Sequence, residues 1–198
     1  EALPLLEAEV ERLQFLHSTG SRDLGQVRRA YEASGHRAVV EPFFWEMALV
    51  YAAADLCLCR AGASTVAELC VLGKPSILVP FPFAANDHQQ WNAEALVATG
   101  GAHMLLDSKL NGADVAEIIR SFLRDRGLIE AMGQRAKALA TPDAASRLAD
   151  LVVLAARQVP GAKFKDCSKF QVPGSTLKKR SSHTWNPEPG TWNCEEHV

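Results

Sequence analysis

The strongest constraint on the fold is a regular alternation of short apolar runs with segments of helical periodicity. Five runs have the character of β-strands: residues 13–17, 37–40, 56–59, 76–81 and 102–106. The segments between them carry apolar residues at three- and four-residue spacing: residues 23–33, 44–54, 65–72 and 88–99. This alternation predicts an α/β fold, a doubly wound parallel sheet with helices on both faces.

Glycines and later periodic segments support the same reading. Gly35, Gly73 and Gly100 each follow a helical run, where a left-handed C-terminal cap is favoured. Three further helices are predicted, at residues 113–126, 128–140 and 144–158. We therefore expect one domain over residues 1–158.

Composition narrows the class of protein. The chain has 198 residues, of which 47% are hydrophobic and 22% charged, with a formal net charge of -2. This is enough for one domain with a real core, and the near-neutral charge gives no electrostatic case for a nucleic-acid partner. Its apolar runs fall well short of the roughly 20 residues of a membrane-spanning helix. Because the chain begins with Glu1 rather than Met, we expect a piece of a longer protein.

The cysteines predict a reducing compartment. There are five, and Cys57, Cys59 and Cys70 lie in apolar runs, where thiols usually behave as small core residues. No spacing suggests a disulfide framework. We expect these three to be reduced core thiols.

The last forty or so residues have a different character. Residues 159–198 are rich in Pro, Gly, Ser and Lys without a sustained period, which predicts a disordered tail. The basic run at residues 178–180 is interpreted as part of that solvated tail rather than as a lipid-binding or targeting patch. The spacing of its Cys and His residues matches no compact zinc pattern, so no metal is expected at Cys167, His183, Cys194 and His197.

The loop after the third predicted strand has features of an anion site. Ligands of doubly wound folds bind beyond the carboxyl ends of the strands, and the strand at 56–59 runs into Arg60-Ala61-Gly62-Ala63-Ser64 before a helix predicted to start at Thr65. Small side chains allow close approach of backbone N–H groups, Gly62 can take a positive φ, and a helix start carries partial positive charge. The pattern favours phosphate or pyrophosphate binding. It contains neither a P-loop nor a G-x-G-x-x-G motif.

Glu68 has two possible roles. Thr65-Val66-Ala67-Glu68 matches a capping box, in which Glu68 would bond back to the backbone N–H of Thr65. The same carboxylate could instead accept the two vicinal hydroxyls of a ribose whose phosphates bind the helix start. The local pattern leaves both roles open.

The loop before the helix at 88–99 is equally ambiguous. Asp87-His88-Gln89-Gln90 matches another capping box, yet two adjacent amides beside a phosphate site could also bind sugar hydroxyls. His88 is interpreted as a polar loop residue rather than as an acid or base, because nothing in the sequence pairs it with a carboxylate. No Asp-x-Asp follows a strand, so we expect no divalent ion to hold the phosphates.

These residues together resemble a known family. The segment "AAADLCLCRAGASTVAELCVLGKPSILVPFPFAANDHQQWNAEALVATGGAHML" is similar to the C-terminal domain of the MurG family of UDP-N-acetylglucosamine transferases. The patterns R-x-G-A-x-T-x-x-E and D-H-Q occur in order and at the family's spacing. The resemblance extends over residues 13–158.

The resemblance implies a fold and a set of binding residues. The fold would be the C-terminal, Rossmann-like, donor-binding lobe of a two-lobed GT-B glycosyltransferase, with the lobe's first strand and its glycine-rich loop missing before Glu1. Glu68 would bind the ribose, which favours the second of its two roles. The remaining implied contacts are Ala63, Ser64 and Thr65 to pyrophosphate, Gln89 and Gln90 to N-acetylglucosamine, and Phe44 (through its backbone) and Met47 to uracil. No catalytic residue and no cofactor is implied.

The implied activity is transfer of N-acetylglucosamine from UDP-N-acetylglucosamine to a lipid-linked acceptor, with inversion, in peptidoglycan biosynthesis. The acceptor would bind a missing N-terminal lobe or a partner chain, at the surface of a membrane. The implied location is the cytoplasm, peripheral to the inner face of that membrane, or an organelle such as a plastid. Three alternatives remain: a soluble subunit that needs a membrane-anchored partner, an inactive, truncated UDP-sugar-binding module, or a UDP-sugar epimerase on the same fold.

Overall fold

The computed structural model describes residues 1–157. The expectations for residues 159–198, including the Cys and His set and the basic run, lie outside the described residues. The chain divides into a compact unit, Glu1–Ala140, and a second unit that begins at Thr141. The domain boundary expected at residue 158 stays a prediction.

Five strands form within residues 1–157, and each of the three ladders between them is parallel. The strands are β1 Gln14–Ser18, β2 Arg37–Glu41, β3 Cys57–Cys59, β4 Ser76–Leu78 and β5 Ala102–Met104. The ladders place Leu16 opposite Val39, Leu58 opposite Ile77, and Ile77 opposite His103. The predicted α/β class and parallel arrangement are confirmed, although β4 ends three residues earlier than expected, where its pairing with β3 and β5 stops at Leu78.

Helices connect the strands at most of the predicted places. Those of the first unit are α1 Ala2–Leu5, α2 Gly20–Ser34, α3 Met47–Ala53, α4 Ala63–Leu72, α5 His88–Ala98, α6 Gly112–Arg124 and α7 Arg126–Ala138. The second unit contains α8, Ala144–Arg157. Short 3₁₀ turns add Glu7–Arg12, Ala85–Asp87 and Asp107–Lys109. Neither α1 nor the 3₁₀ turn that follows it was predicted from the sequence.

The strands pair in two separate sets. The ladders are β1-β2 on one side and β3-β4-β5 on the other, and no ladder joins them among residues 1–157. A classical doubly wound sheet has the order 3-2-1-4-5-6. The two ladders correspond to the 3-2 and 4-5-6 parts of that order.

The core holds α4 and α5 against the strands. Ile77 and Leu78 of β4 are fully buried, as expected for a strand covered on both faces. Leu69 of α4 and Leu96 of α5 are fully buried too, and both belong with Leu78 to one apolar cluster. This packing fixes the starts of α4 and α5 at the carboxyl edge of β3 and β4.

Two of the predicted glycine caps have the expected geometry at helix C-termini. Gly35 ends α2 with φ 70° and Gly73 ends α4 with φ 62°, both in the left-handed region. Gly100, one residue beyond the cap of α5, has φ 73°. In the part of the chain that is described, no helix has both the length and the apolar character needed to cross a bilayer.

Candidate functional site

The start of α4 presents free backbone donors. Gly62 is its N-cap, and the first intrahelical bond runs from Val66 N to Gly62 O at 2.9 Å. The N–H groups of Ala63, Ser64 and Thr65 therefore precede the helical ladder. No acidic residue lies in this first turn, so nothing there offsets the partial positive charge of the helix end. The arrangement suits an anion.

Two details of this loop differ from the predictions. The helix begins at Ala63 rather than Thr65, and Gly62 has φ -63° and ψ 148°, so it does not use a positive φ. A Cβ built on Gly62 would meet only Thr65 Oγ1, at 3.7 Å. The anion-binding geometry thus comes from the start of the helix and not from a glycine conformation.

Two amide side chains of α5 hold this loop. Gln89 Oε1 accepts a hydrogen bond from Ala61 N at 3.2 Å, and Asn92 Nδ2 donates one to Ala61 O at 3.1 Å. Both backbone polar groups of Ala61 are thereby hydrogen-bonded, and the residue is fully buried. Because Gln89 and Asn92 are three residues apart on one helix, they lie on the same face. These two hydrogen bonds hold the loop that leads into α4 through both the N–H and the carbonyl group of Ala61.

Gln89 also contacts the next loop. Its Oε1 accepts a second hydrogen bond, from Phe81 N at 3.0 Å, so one oxygen links the segments that follow β3 and β4. This oxygen is committed to the backbone, and the Nε2 amide group is the part of Gln89 left for a ligand. Gln90 is exposed and donates to Glu94 Oε1 at 2.9 Å.

The approach to α5 is unusual. Asn86 and Asp87 have φ 51° and 52°, left-handed values that few non-glycine residues adopt, although Asn and Asp tolerate them best. Asp87 is the N-cap of α5 by position, but its side chain makes no capping bond. The capping box of Asp87 and Gln90, one of the two readings of this loop, is not formed, because Asp87 has a left-handed backbone and Gln90 donates to Glu94 instead.

Glu68 lies in the second turn of α4, and its partner is a tyrosine. Tyr51 Oη donates to Glu68 Oε2 at 3.0 Å. Since α4 starts two residues before Thr65, Glu68 is too far along the helix to close a capping box, so the first of its two possible roles is not formed. Tyr51 lies on α3, so this hydrogen bond joins the helices that follow β2 and β3.

The two residues predicted to contact uracil, Phe44 and Met47, lie after β2. Met47 is the first residue of α3 and packs against the apolar core. Phe44 precedes α3 in irregular backbone, which corrects the helix start predicted at residue 44. Its neighbours Phe43 and Trp45 make an edge-to-face ring pair at 5.0 Å and are exposed. An irregular segment here leaves backbone polar groups of Phe44 outside the helical ladder.

Arg60, the first residue of the motif, has a structural role. Its Nη1 lies 2.6 Å from Asp107 Oδ1 and donates to the carbonyl oxygens of Val79 and Pro80, each at 3.3 Å. Its guanidinium carbon lies 5.5 Å from the centre of the Phe81 ring. Arg60 therefore connects the segments that follow β3, β4 and β5. Sequence reasoning missed this role, as it did those of Tyr51 and Asn92.

A separate groove lies away from this site. A groove of about 420 Å³ lies at the opposite edge, before β3 and β4, where Lys74, Gly133 and Lys137 are among its lining residues. None of the candidate ligand-binding residues lines it. Over residues 1–157, no three His, Cys, Asp or Glu side chains come together as a metal site.

Comparison with known proteins identifies the family. The sequence model of the Glycosyltransferase family 28 C-terminal domain matches residues 1–148. A UDP-N-acetylglucosamine--N-acetylmuramyl-(pentapeptide) pyrophosphoryl-undecaprenol N-acetylglucosamine transferase of Geotalea uraniireducens is 43% identical over 150 residues, covering 76% of this chain and 41% of the relative. The enzyme of the same name from Anaeromyxobacter sp. is 44% identical over 164 residues, 83% of this chain and 43% of the relative.

A solved structure gives the same relationship in three dimensions. The crystal structure of Acinetobacter baumannii MurG matches with a TM-score of 0.67 and 29% identity, over 77% of this chain and 45% of that one. The chain thus spans about two-fifths of the length of the curated relatives that it matches. On the match of the domain model to most of its residues, the chain belongs to the glycosyltransferase family 28 C-terminal domain family.

Proposed function

We propose that this chain is the donor-binding half of an inverting glycosyltransferase that moves N-acetylglucosamine from UDP-N-acetylglucosamine to a lipid-linked acceptor. The observation that carries the proposal is the start of α4. Its free N–H groups follow a loop that Gln89 and Asn92 hold in place, and a carboxylate, Glu68, lies one turn further along the same helix.

Each candidate residue has a role in donor binding. The N–H groups of Ala63, Ser64 and Thr65 hold the diphosphate at the positive end of α4. Glu68 accepts the ribose hydroxyls. The Gln89 Nε2 group and the Gln90 side chain contact the N-acetylglucosamine, where the two amides suit a polyol. The backbone of Phe44, with Met47 beside it, contacts uracil.

The donor-binding half contributes to the reaction by electrostatic stabilisation of the leaving group. An acceptor hydroxyl attacks the anomeric carbon from the face opposite UDP, the bond from that carbon to the β-phosphate oxygen breaks with its electron pair going to the oxygen, and the configuration inverts. The start of α4 stabilises the negative charge that develops on the departing UDP. The hydroxyl proton passes to a general base.

The relatives' names support the choice of a lipid-linked acceptor. Those names specify a pyrophosphoryl-undecaprenol acceptor, which is a lipid. We assign the acceptor site to a polypeptide segment or partner chain other than the one described, and the reaction to the surface of the membrane that contains the lipid, on its cytoplasmic side. All the binding residues named above serve the donor.

Calorimetric titration with UDP tests the proposal. Replacing Glu68 by Ala removes the ribose acceptor, so the affinity for UDP is expected to fall by about 1.5–3 kcal/mol, tenfold or more. Glu130, an exposed carboxylate on α7 at the opposite edge, provides the matched control, because Glu130→Ala leaves UDP binding unchanged. Wild-type affinity in a folded Glu68→Ala variant would contradict the proposal.

A further inference from the structure

The hydroxyl and the ring of Tyr51 lie in different environments. The ring belongs to the apolar core together with Leu69 and Leu78, and the residue is only 8% exposed. The hydroxyl, by contrast, reaches an exposed carboxylate, Glu68, at 3.0 Å. Burial raises the pKa of Tyr51, and the hydrogen bond to Glu68 raises it further. The phenol is therefore protonated at neutral pH and acts as the donor.

Glu68 needs such a partner if it is to bind a diol. An exposed glutamate on a helix samples several rotamers, and ordering its side chain costs up to about 2 kcal/mol. Among residues 1–157, the Tyr51 hydroxyl is the side-chain group that hydrogen-bonds Glu68. It engages one oxygen, Oε2, and leaves Oε1 and a second lone pair on Oε2 for a ligand.

We propose that Tyr51 is a positioning residue that orients the Glu68 carboxylate for a vicinal diol and thereby sets the preference of this site for ribonucleotides over 2′-deoxyribonucleotides. The inference rests on the proposed function. A carboxylate held by one oxygen keeps a single orientation, in which it can accept from the 2′- and 3′-hydroxyls together. A 2′-deoxyribose lacks the 2′-hydroxyl and can donate only from its 3′-hydroxyl. Its affinity therefore depends little on the orientation that Tyr51 gives to the Glu68 carboxylate.

Tyr51→Phe isolates the hydroxyl because it keeps the buried ring. Tyr31→Phe is a matched control: Tyr31 is also 8% exposed, and its hydroxyl lies 3.1 Å from His17 Nδ1 on another part of the fold. We expect Tyr51→Phe to weaken UDP binding about three- to tenfold and 2′-deoxy-UDP binding less than about twofold. Tyr31→Phe leaves both affinities unchanged.

A double-mutant cycle tests whether Tyr51 acts through Glu68. In the Glu68→Ala background, Tyr51→Phe is expected to have no further effect on UDP binding. Equal losses for UDP and 2′-deoxy-UDP, or a loss that persists in the Glu68→Ala background, would overturn the inference while leaving the proposed function intact. A wild-type protein that does not bind UDP at all would overturn both, so the two failures are distinguishable.

Discussion

The side-chain oxygen of Gln89 lies 3.2 Å from the backbone nitrogen of Ala61 and 3.0 Å from that of Phe81, so one oxygen joins the segments that follow two neighbouring strands. Asn92, one turn further along α5, donates to the Ala61 carbonyl oxygen. The geometry at the start of α4 therefore depends on α5. In the account proposed here, the diphosphate is bound by a loop that another helix holds.

Asn92→Asp tests that dependence. The carboxylate has nearly the same shape as the amide but cannot donate to the Ala61 carbonyl oxygen, and it faces that oxygen with negative charge. We expect UDP affinity to fall by about 1–2 kcal/mol while the weaker binding of uridine, which has no phosphate, is unchanged. Calorimetry with both ligands makes the measurement.

The control for Asn92→Asp is Gln134→Glu, the same change of amide to carboxylate on α7 at the opposite edge. It adds the same net charge and should leave both affinities as they are. Parallel losses of UDP and uridine binding in Asn92→Asp would show a general loss of structure rather than a displaced loop.

Cys59 is predicted to be an unreactive thiol. Burial raises its pKa to about 12 from an ordinary 9.0, with a smaller contribution from Cys57. At pH 8 the thiolate fraction is then about a thousandfold lower, and the thiolate is the form that reacts with iodoacetamide. The alkylation rate should rise about tenfold for each pH unit up to about 12.

Peptide mapping by mass spectrometry measures that rate, and the guanidinium-unfolded protein serves as the reference. Labelling of Cys59 in the folded protein at the rate of the unfolded one would contradict the buried position. Such a result would also question the packing of β3 on which the site is built.

Ser76→Ala tests a polar group in the core. Ser76 is fully buried at the start of β4, and its hydroxyl oxygen has no hydrogen-bond partner among the described residues. Burying an unpaired hydroxyl is unfavourable, so removing it should leave the free energy of unfolding unchanged or raise it by about 1 kcal/mol. Urea denaturation measures the difference, and Ser108→Ala at an exposed position is the control. A clear loss of stability would mean that Ser76 has a partner.

Gly133→Ala tests the contact between α7 and the end of α4. A Cβ at Gly133 would lie 2.6 Å from the Gly73 carbonyl oxygen, a backbone atom that cannot move aside cheaply. We expect the free energy of unfolding to fall by about 1–3 kcal/mol. At Gly25, within α2, the nearest atom is a flexible arginine side chain at 3.6 Å, so Gly25→Ala should gain about 0.5–1 kcal/mol. Similar stabilities of the two variants would refute the close approach.

The periodicity of the chain predicted most of the fold, for a physical reason. Strands and helices bury apolar residues at different spacings along the chain, and these spacings can be read from the sequence. Gly35 and Gly73 predicted helix ends because few other residues adopt a left-handed backbone. The strand β4 was predicted three residues too long, because Val79 and Phe81 continue its apolar pattern although its pairing ends at Leu78.

The elements of the candidate site were predicted, but not their internal contacts. The motif predicted a helix start after Gly62 and a carboxylate one turn away, and the structure has both features. Anion binding there stays a prediction. The capping patterns misled, because a capping box and a ligand site use the same residue types at the same spacing. The contacts of Tyr51 with Glu68 and of Asn92 with Ala61 depend on how separate helices pack, and no local pattern contains that information.

A crystal structure of the protein soaked with UDP tests the central claim most directly. We expect diphosphate oxygens about 2.7–3.2 Å from the backbone nitrogens of Ala63, Ser64 and Thr65, with the Glu68 carboxylate against both ribose hydroxyls. Empty density at the start of α4 at saturating UDP, or a bound ribose that does not contact Glu68, would contradict it.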